Sequence, residues 1–130
     1  MPDREEETAE ILEQLYAAFL AGDPEVMLGL LSDDVSLRFL GQVDTRGIEG
    51  ARRFFTFAGG LLQDVHFEIH QKIVDGEWAA VVWSETALTA GGEPWANHGI
   101  DLIRVEDGKI TVLHENNDAR LVHRHFPSYS

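Results

Sequence analysis

Asp101 in GIDLIRV and the run His114, Glu115, Asn116, Asn117, Asp118 in HENNDARL hold side chains of the types that move protons and orient oxygen atoms. Carboxyl groups and an imidazole can act as acid or base near neutral pH once their surroundings shift them, and amides fix a ligand oxygen by hydrogen bonding. Each is costly to bury without a partner. HENND nevertheless follows directly on the apolar run ITVL. Two placements satisfy that order: the strand emerges into solvent after Leu113, or it continues along the wall of a cavity.

Hairpin register bears on the choice. Asp107-Gly108 is a strong signal for a two-residue turn between strand-like runs. Counting outward from it pairs Val105 with Ile110, Asp101 with His114, Gly99 with Asn116 and Asn97 with Asp118. Ile103, Val105, Ile110 and Val112 then share a face with Asn97, Asp101, His114, Asn116 and Asp118. A second turn at Asp75-Gly76 puts Val65, Phe67, Ile69, Ile73, Trp78, Val82, Ser84 and Thr86 inside, and Val81, Trp83 and Glu85 outside. The two hairpins would line a pocket that is apolar at its base and hydrogen-bonding beyond, the usual form of a small-molecule site. A slip of one residue reverses every assignment.

The elements that would position these groups follow from periodicity. Ile11, Leu12, Leu15, Tyr16, Phe19 and Leu20 make one apolar helical face between Glu5 and Ala21, ended by Gly22. Asp23 caps a second helix with Pro24 at its first position. VSLRFL alternates as a short strand with Arg38 outward, and a loop holding Gly41 and Gly47 leads to a helix over 48–58. Four strands follow, at about 65–74, 77–89, 95–106 and 109–118, and HRHFPSYS reads as a frayed tail. Early helices and later hairpins predict an α+β fold in which helices cover one face of a curved antiparallel sheet, in the order α-α-β-α-β-β-β-β.

Composition bounds the remaining possibilities. The 130 residues, 44% of them hydrophobic, fit a single domain, 1–130, with a core over about 8–122. A net charge of −13 would repel phosphate backbones, so nucleic acid is not an expected partner. No apolar run reaches the ~18 residues of a membrane span, and MPDREEETAE lacks the apolar stretch of a signal peptide, which predicts a soluble cytoplasmic protein. The absence of cysteine excludes thiol nucleophiles and cysteine-ligated zinc. No metal or cofactor is expected: His66 and His70 lie ~13 Å apart on a strand, and neither a phosphate-binding loop nor a nucleotide fingerprint is present.

The element order, with AGD between the first two helices and DGKI opening the last strand, resembles the nuclear-transport-factor-2-like superfamily, and most closely its SnoaL-like branch of polyketide cyclases. Ketosteroid isomerases and limonene-epoxide hydrolase are relatives. The resemblance covers roughly residues 8–122 and implies a sheet wrapped around helices to form a cone-shaped pocket. It implies an acid/base role for Asp118, ten positions after Gly108, and an enolate-binding position for Asp101. The isomerase general-base position falls at Phe39, and its tyrosine position at Leu15, beside Tyr16. Ser84 and Thr86 fall where the epoxide hydrolase would carry an arginine and an aspartate, so its charged set is incomplete here.

On this reading the chain binds a small, largely apolar, oxygen-bearing molecule and acts on it by aspartate general acid/base chemistry. Asp118 would be the acid or base, Asp101 and His114 a coupled pair, and Asn97 and Asn116 the groups that orient substrate. Tyr16, Phe39, Trp78, Ser84 and Thr86 complete the expected binding set. The plainer alternatives are a structural His114–Asp101 pair, Tyr16 as helix packing, Trp78 and Trp95 as core or wall, and a non-catalytic ligand-binding or dimerisation module. Val81 and Trp83 on the outer sheet face would suit a homodimer.

Overall fold

The computed structural model describes residues 3–39, 43–118 and 120. Leu40 of VSLRFL, Gly41 and the terminal HRHFPSYS, with His123 and His125, lie outside the described residues.

Helix α1 (Arg4–Ala21) begins where the Asp3 side chain accepts the Glu6 N–H at 2.8 Å, and Glu5, Glu6 and Glu7 place negative charge at the positive end of the helix. It stops at Gly22, whose φ of 67° is a left-handed cap that glycine adopts without strain. Helix α2 (Pro24–Gly29) is capped by Asp23, and α3 (Ile48–Ala58) follows Gly47. These three helices stand where the apolar spacing, the Asp23 cap and the stopping glycines predict them.

The strands are β1 (Leu31–Phe39), β2 (Val43–Arg46), β3 (Leu62–Asp75), β4 (Trp78–Thr89), β5 (Pro94–Glu106) and β6 (Lys109–Asn117). They form one curved six-stranded sheet in the order β2-β1-β6-β5-β4-β3. Strand β2, short and only partly buried, was expected as loop; it pairs antiparallel with β1. The sheet is mixed rather than purely antiparallel, because β1 lies parallel to β6.

Leu12, Val35, Leu37, Val81, Ile103 and Ile110 are fully buried where α1 meets the middle of the sheet. Two long-range bonds fix that end of the helix. Thr8 Oγ1 donates to the Gly76 carbonyl at 2.8 Å, and the Glu7 carboxylate accepts the Gly108 N–H, so one turn of α1 holds both hairpin tips.

Register corrects the expected faces at two points. The first hairpin turns on Gly76 and Glu77, with Asp75 opposite Trp78, one residue later than the Asp-Gly signal implies. Gly76, at φ 59°, occupies the first central position, where a tight hairpin of the opposite turn type takes glycine. The slip sends Ala79, Val81, Trp83 and Glu85 inward, and Trp78, Ser84 and Thr86 outward. Pairing skips His70 on β3, so Phe67 and Ile69 remain inside while Ile73 emerges.

The second hairpin turns on Asp107 and Gly108 as expected, both at positive φ. Thr111 is then left without a partner, since Val105 pairs with Ile110 but Arg104 with Val112. Beyond that bulge Asp101 faces Glu115, and Gly99 faces Asn117, so His114 and Asn116 belong to the outer face.

Candidate functional site

Asp101 is 6% exposed on the inner face of β5. The Tyr16 hydroxyl on α1 donates to Asp101 Oδ2 at 2.6 Å, and the Trp83 indole N–H on β4 donates to Oδ1 at 3.0 Å. Phe67 lies between the two donors, its ring 5.8 Å from that of Tyr16 and 5.4 Å from that of Trp83, near parallel to both, so packing orients the hydrogen bonds. Gly99 leaves room for this arrangement. A Cβ there would lie 2.7 Å from the Trp83 ring and collide with the Asn116 carbonyl.

Glu115 stands directly opposite Asp101, and Glu85 on β4 stands opposite Asn97. Asn117 Nδ2 donates to Glu115 Oε2 at 2.9 Å, and the Trp95 indole to Glu85 Oε1 at 3.4 Å. Burial pushes the Asp101 carboxyl up to about 6 against the opposing effect of its two donors. Burial, followed by the charges of Asp101 and Glu85, holds Glu115 well above the usual carboxylate range. Glu85 is raised by burial first, with the Trp95 bond opposing and Asp101 adding. Burial and the Asp101 charge raise Tyr16 as well, so its hydroxyl keeps its proton and acts as donor.

Asp101, Tyr16, Glu115, Glu85 and Asn117 border an open-mouthed cavity of about 520 Å³ between the three helices and the inner sheet face. Its walls are mostly apolar, including Phe19, Phe39, Phe54, Val65 and Leu113, with Phe39 and Phe54 in contact at 4.2 Å between ring centres. Among the described residues lining it there is no lysine, arginine or histidine. Asp101 and Glu115, face to face, with the charge of Glu85 added and no cation lining the cavity among the described residues, favour retaining a proton within the group, so acid and base can coexist there near neutral pH.

Of the sequence-predicted residues, Asp101, Tyr16, Phe39 and Asn97 meet at this cavity. The others do not. Asp118 follows the end of β6, its Oδ1 accepting the Arg120 N–H at 3.1 Å, and it borders a depression of about 540 Å³ on the opposite side of the sheet. Ser84 and Asn116 border that depression too, and Ser84 Oγ is 2.7 Å from His70 Nε2.

His114 is paired with Ser36 Oγ at 2.9 Å rather than with Asp101, and burial, then the Arg38 charge, lowers its pKa. Trp78 lies on the outer face under the Arg104 guanidinium, 5.2 Å from its ring centre, and Thr86 is exposed there. Val81 and Trp83, expected outside, are 0% and 2% exposed within.

Glu115, Glu85 and Asn117 are the cavity groups that the expected register missed, together with Trp83, which holds Asp101 from behind the cavity wall. A signal for β4 exists in the sequence: a turn one residue later buries Val81 and Trp83, which the Asp-Gly turn would expose. For Glu115 no comparable signal precedes the bulge at Thr111.

No helix among the described residues is long and apolar enough to cross a membrane. A sequence profile of the SnoaL-like domain matches residues 12–113. No curated protein matches the chain. Among solved structures, it is similar to a nuclear-transport-factor-2-like protein of unknown function from Burkholderia pseudomallei K96243, with TM-score 0.83 and 16% identity over 91% of this chain and 95% of that one. It is also similar to a candidate polyketide cyclase from Xanthomonas campestris pv. campestris, with TM-score 0.76 and 17% identity over 90% and 94% of the two chains. A candidate isomerase from Bacillus subtilis superimposes with TM-score 0.85 at 14% identity over 97% and 96%. At these identities the superpositions show the fold. With the profile spanning most of its length, the chain belongs to the SnoaL-like family, on the nuclear-transport-factor-2-like fold.

Proposed function

We propose that the cavity binds a small, largely apolar carbonyl compound and that Asp101 and Glu115 transfer protons on it, in an isomerase- or cyclase-like reaction. The observation that carries this reading is the Asp101 carboxyl, buried at the cavity wall, oriented by Tyr16 and Trp83, and set directly opposite Glu115. The assignments of the cyclase and isomerase relatives are in keeping with it.

In its ionised form Asp101 can accept a proton from carbon beside the carbonyl, while protonated Glu115 donates a hydrogen bond to the oxygen on which negative charge develops. Returning the proton to another carbon gives isomerisation; attack of the enolate on a second carbonyl carbon gives aldol cyclisation, with the new alkoxide protonated from a carboxyl. The ordinary carboxylate range is too low for efficient proton abstraction at neutral pH, and raising Asp101 to about 6 reduces that mismatch.

The test is exchange of solvent deuterium into the carbon positions beside the carbonyl of 2-tetralone, followed by NMR. The protein should accelerate exchange, and Asp101→Asn should lower the acceleration by roughly 100-fold or more. Binding of the ketone without acceleration would instead support a non-catalytic ligand-binding module. Asp118→Asn separates this reading from the one based on position in the sequence: loss of exchange in that variant would move the chemistry away from the cavity.

A further inference from the structure

Asn97 on β5 is 5% exposed and borders the cavity. Its Oδ1 accepts two backbone donors, the N–H of His98 at 2.9 Å and that of Asp118 at 3.3 Å. Because both partners are donors, the orientation of the amide is fixed: oxygen toward the backbone, nitrogen away from it. No group among the described residues accepts from that nitrogen, and it is not sealed in the protein interior. The donors nearby are engaged otherwise, Tyr16 and Trp83 with Asp101, and Trp95 with Glu85.

We propose that Asn97 Nδ2 is the cavity's ligand anchor, and that it takes an uncharged acceptor oxygen, a carbonyl or a hydroxyl, of a neutral substrate. A donor on the cavity wall without a protein partner discriminates between ligands, because one lacking the oxygen leaves it unpaired when the ligand displaces water. Charge narrows the class further. Glu85 faces Asn97 across the strands, Asp101 and Glu115 lie farther along, and no cation lines the cavity among the described residues, so a carboxylate or phosphate would meet repulsion. Asn97 and Asp101 stand four positions apart on β5, roughly 13 Å of strand, which leaves the anchor distinct from the proton-transfer end. A substrate engaging both ends carries oxygen functions at two separated positions. The inference rests on the reading that this cavity is the ligand site.

Three matched probes test it: 2-acetylnaphthalene, 2-ethylnaphthalene and 2-naphthoate. In the unaltered protein the Asn97 side-chain amide resonances should shift on titration with the ketone and stay in place with the hydrocarbon, while the Phe67 ring resonances move with both. By calorimetry the ketone should bind at least 10-fold more tightly than naphthoate. Asn97→Asp keeps the oxygen that accepts from His98 and Asp118 and replaces only the nitrogen, and it should weaken ketone binding about 10-fold with little change for the hydrocarbon.

Equal amide shifts with ketone and hydrocarbon, naphthoate binding as tightly as the ketone, or no binding of any probe would each overturn the anchor. Ketone binding that moves the Asn97 amide without deuterium exchange would leave the anchor standing and remove the proton-transfer reading.

Discussion

At the scale of single residues, Glu115 is expected to cost stability where it would serve chemistry. Its folded pKa lies above the ordinary carboxylate value, so the folded protein retains a proton that the unfolded chain releases. Stability therefore falls as pH rises through that interval, and Asp101 contributes in the same direction between 3.8 and about 6. Glu115→Gln keeps the shape and the bond to Asn117 but cannot ionise. It should melt about 5 °C higher than the wild type at pH 8 and nearly level with it at pH 4, with proton transfer impaired. Parallel melting curves across that range would show that Glu115 titrates as an ordinary surface group.

At the scale of elements, the fold was readable and the register only half so. The Asp23 cap and the glycine stops act locally, within a few residues of a helix end, and apolar spacing acts within the helix itself, which is why the helices stand where expected. Faces depend on counting from a turn, and one unpaired residue inverts everything beyond it. Thus Asp101 and Asn97, on the strand that enters the turn, were placed correctly, while His114, Asn116 and Asp118 lie past Thr111 and were not. The bulge is determined by packing across β5 and β6, and no residue type in ITVL announces it. Gly99 links register to the site, because the Trp83 ring crosses it on the way to Asp101. Gly99→Ala should cost about 1–3 kcal/mol in urea unfolding and displace Trp83, seen as a change in its indole N–H resonance. An unshifted resonance would mean that the ring does not need this gap.

At the scale of the whole molecule, the net charge of −13 should oppose self-association, yet the outer sheet face offers a neutral strip. Trp78, Ile100 and Leu102 are 39%, 48% and 38% exposed there, beside Ala80 and Val82, with no carboxylate among them. A second copy meeting this strip would bury apolar area where repulsion is least, so the homodimer expectation is carried by these residues instead of Val81 and Trp83. Sedimentation should show a dimer that tightens as salt is added, and Ile100→Arg should return it to monomer. A wild type that stays monomeric at micromolar concentration in high salt would remove the dimer.

The clasp of Thr8 and Glu7 on the two hairpin tips has a consequence for how the molecule is made. These bonds join residues 68 and 101 positions apart in the chain, so neither can form until the distant partner has been synthesised and bent into its turn. The first helix must therefore wait for nearly the whole polypeptide before that clasp can close, and its docking on the sheet is completed among the late events of assembly.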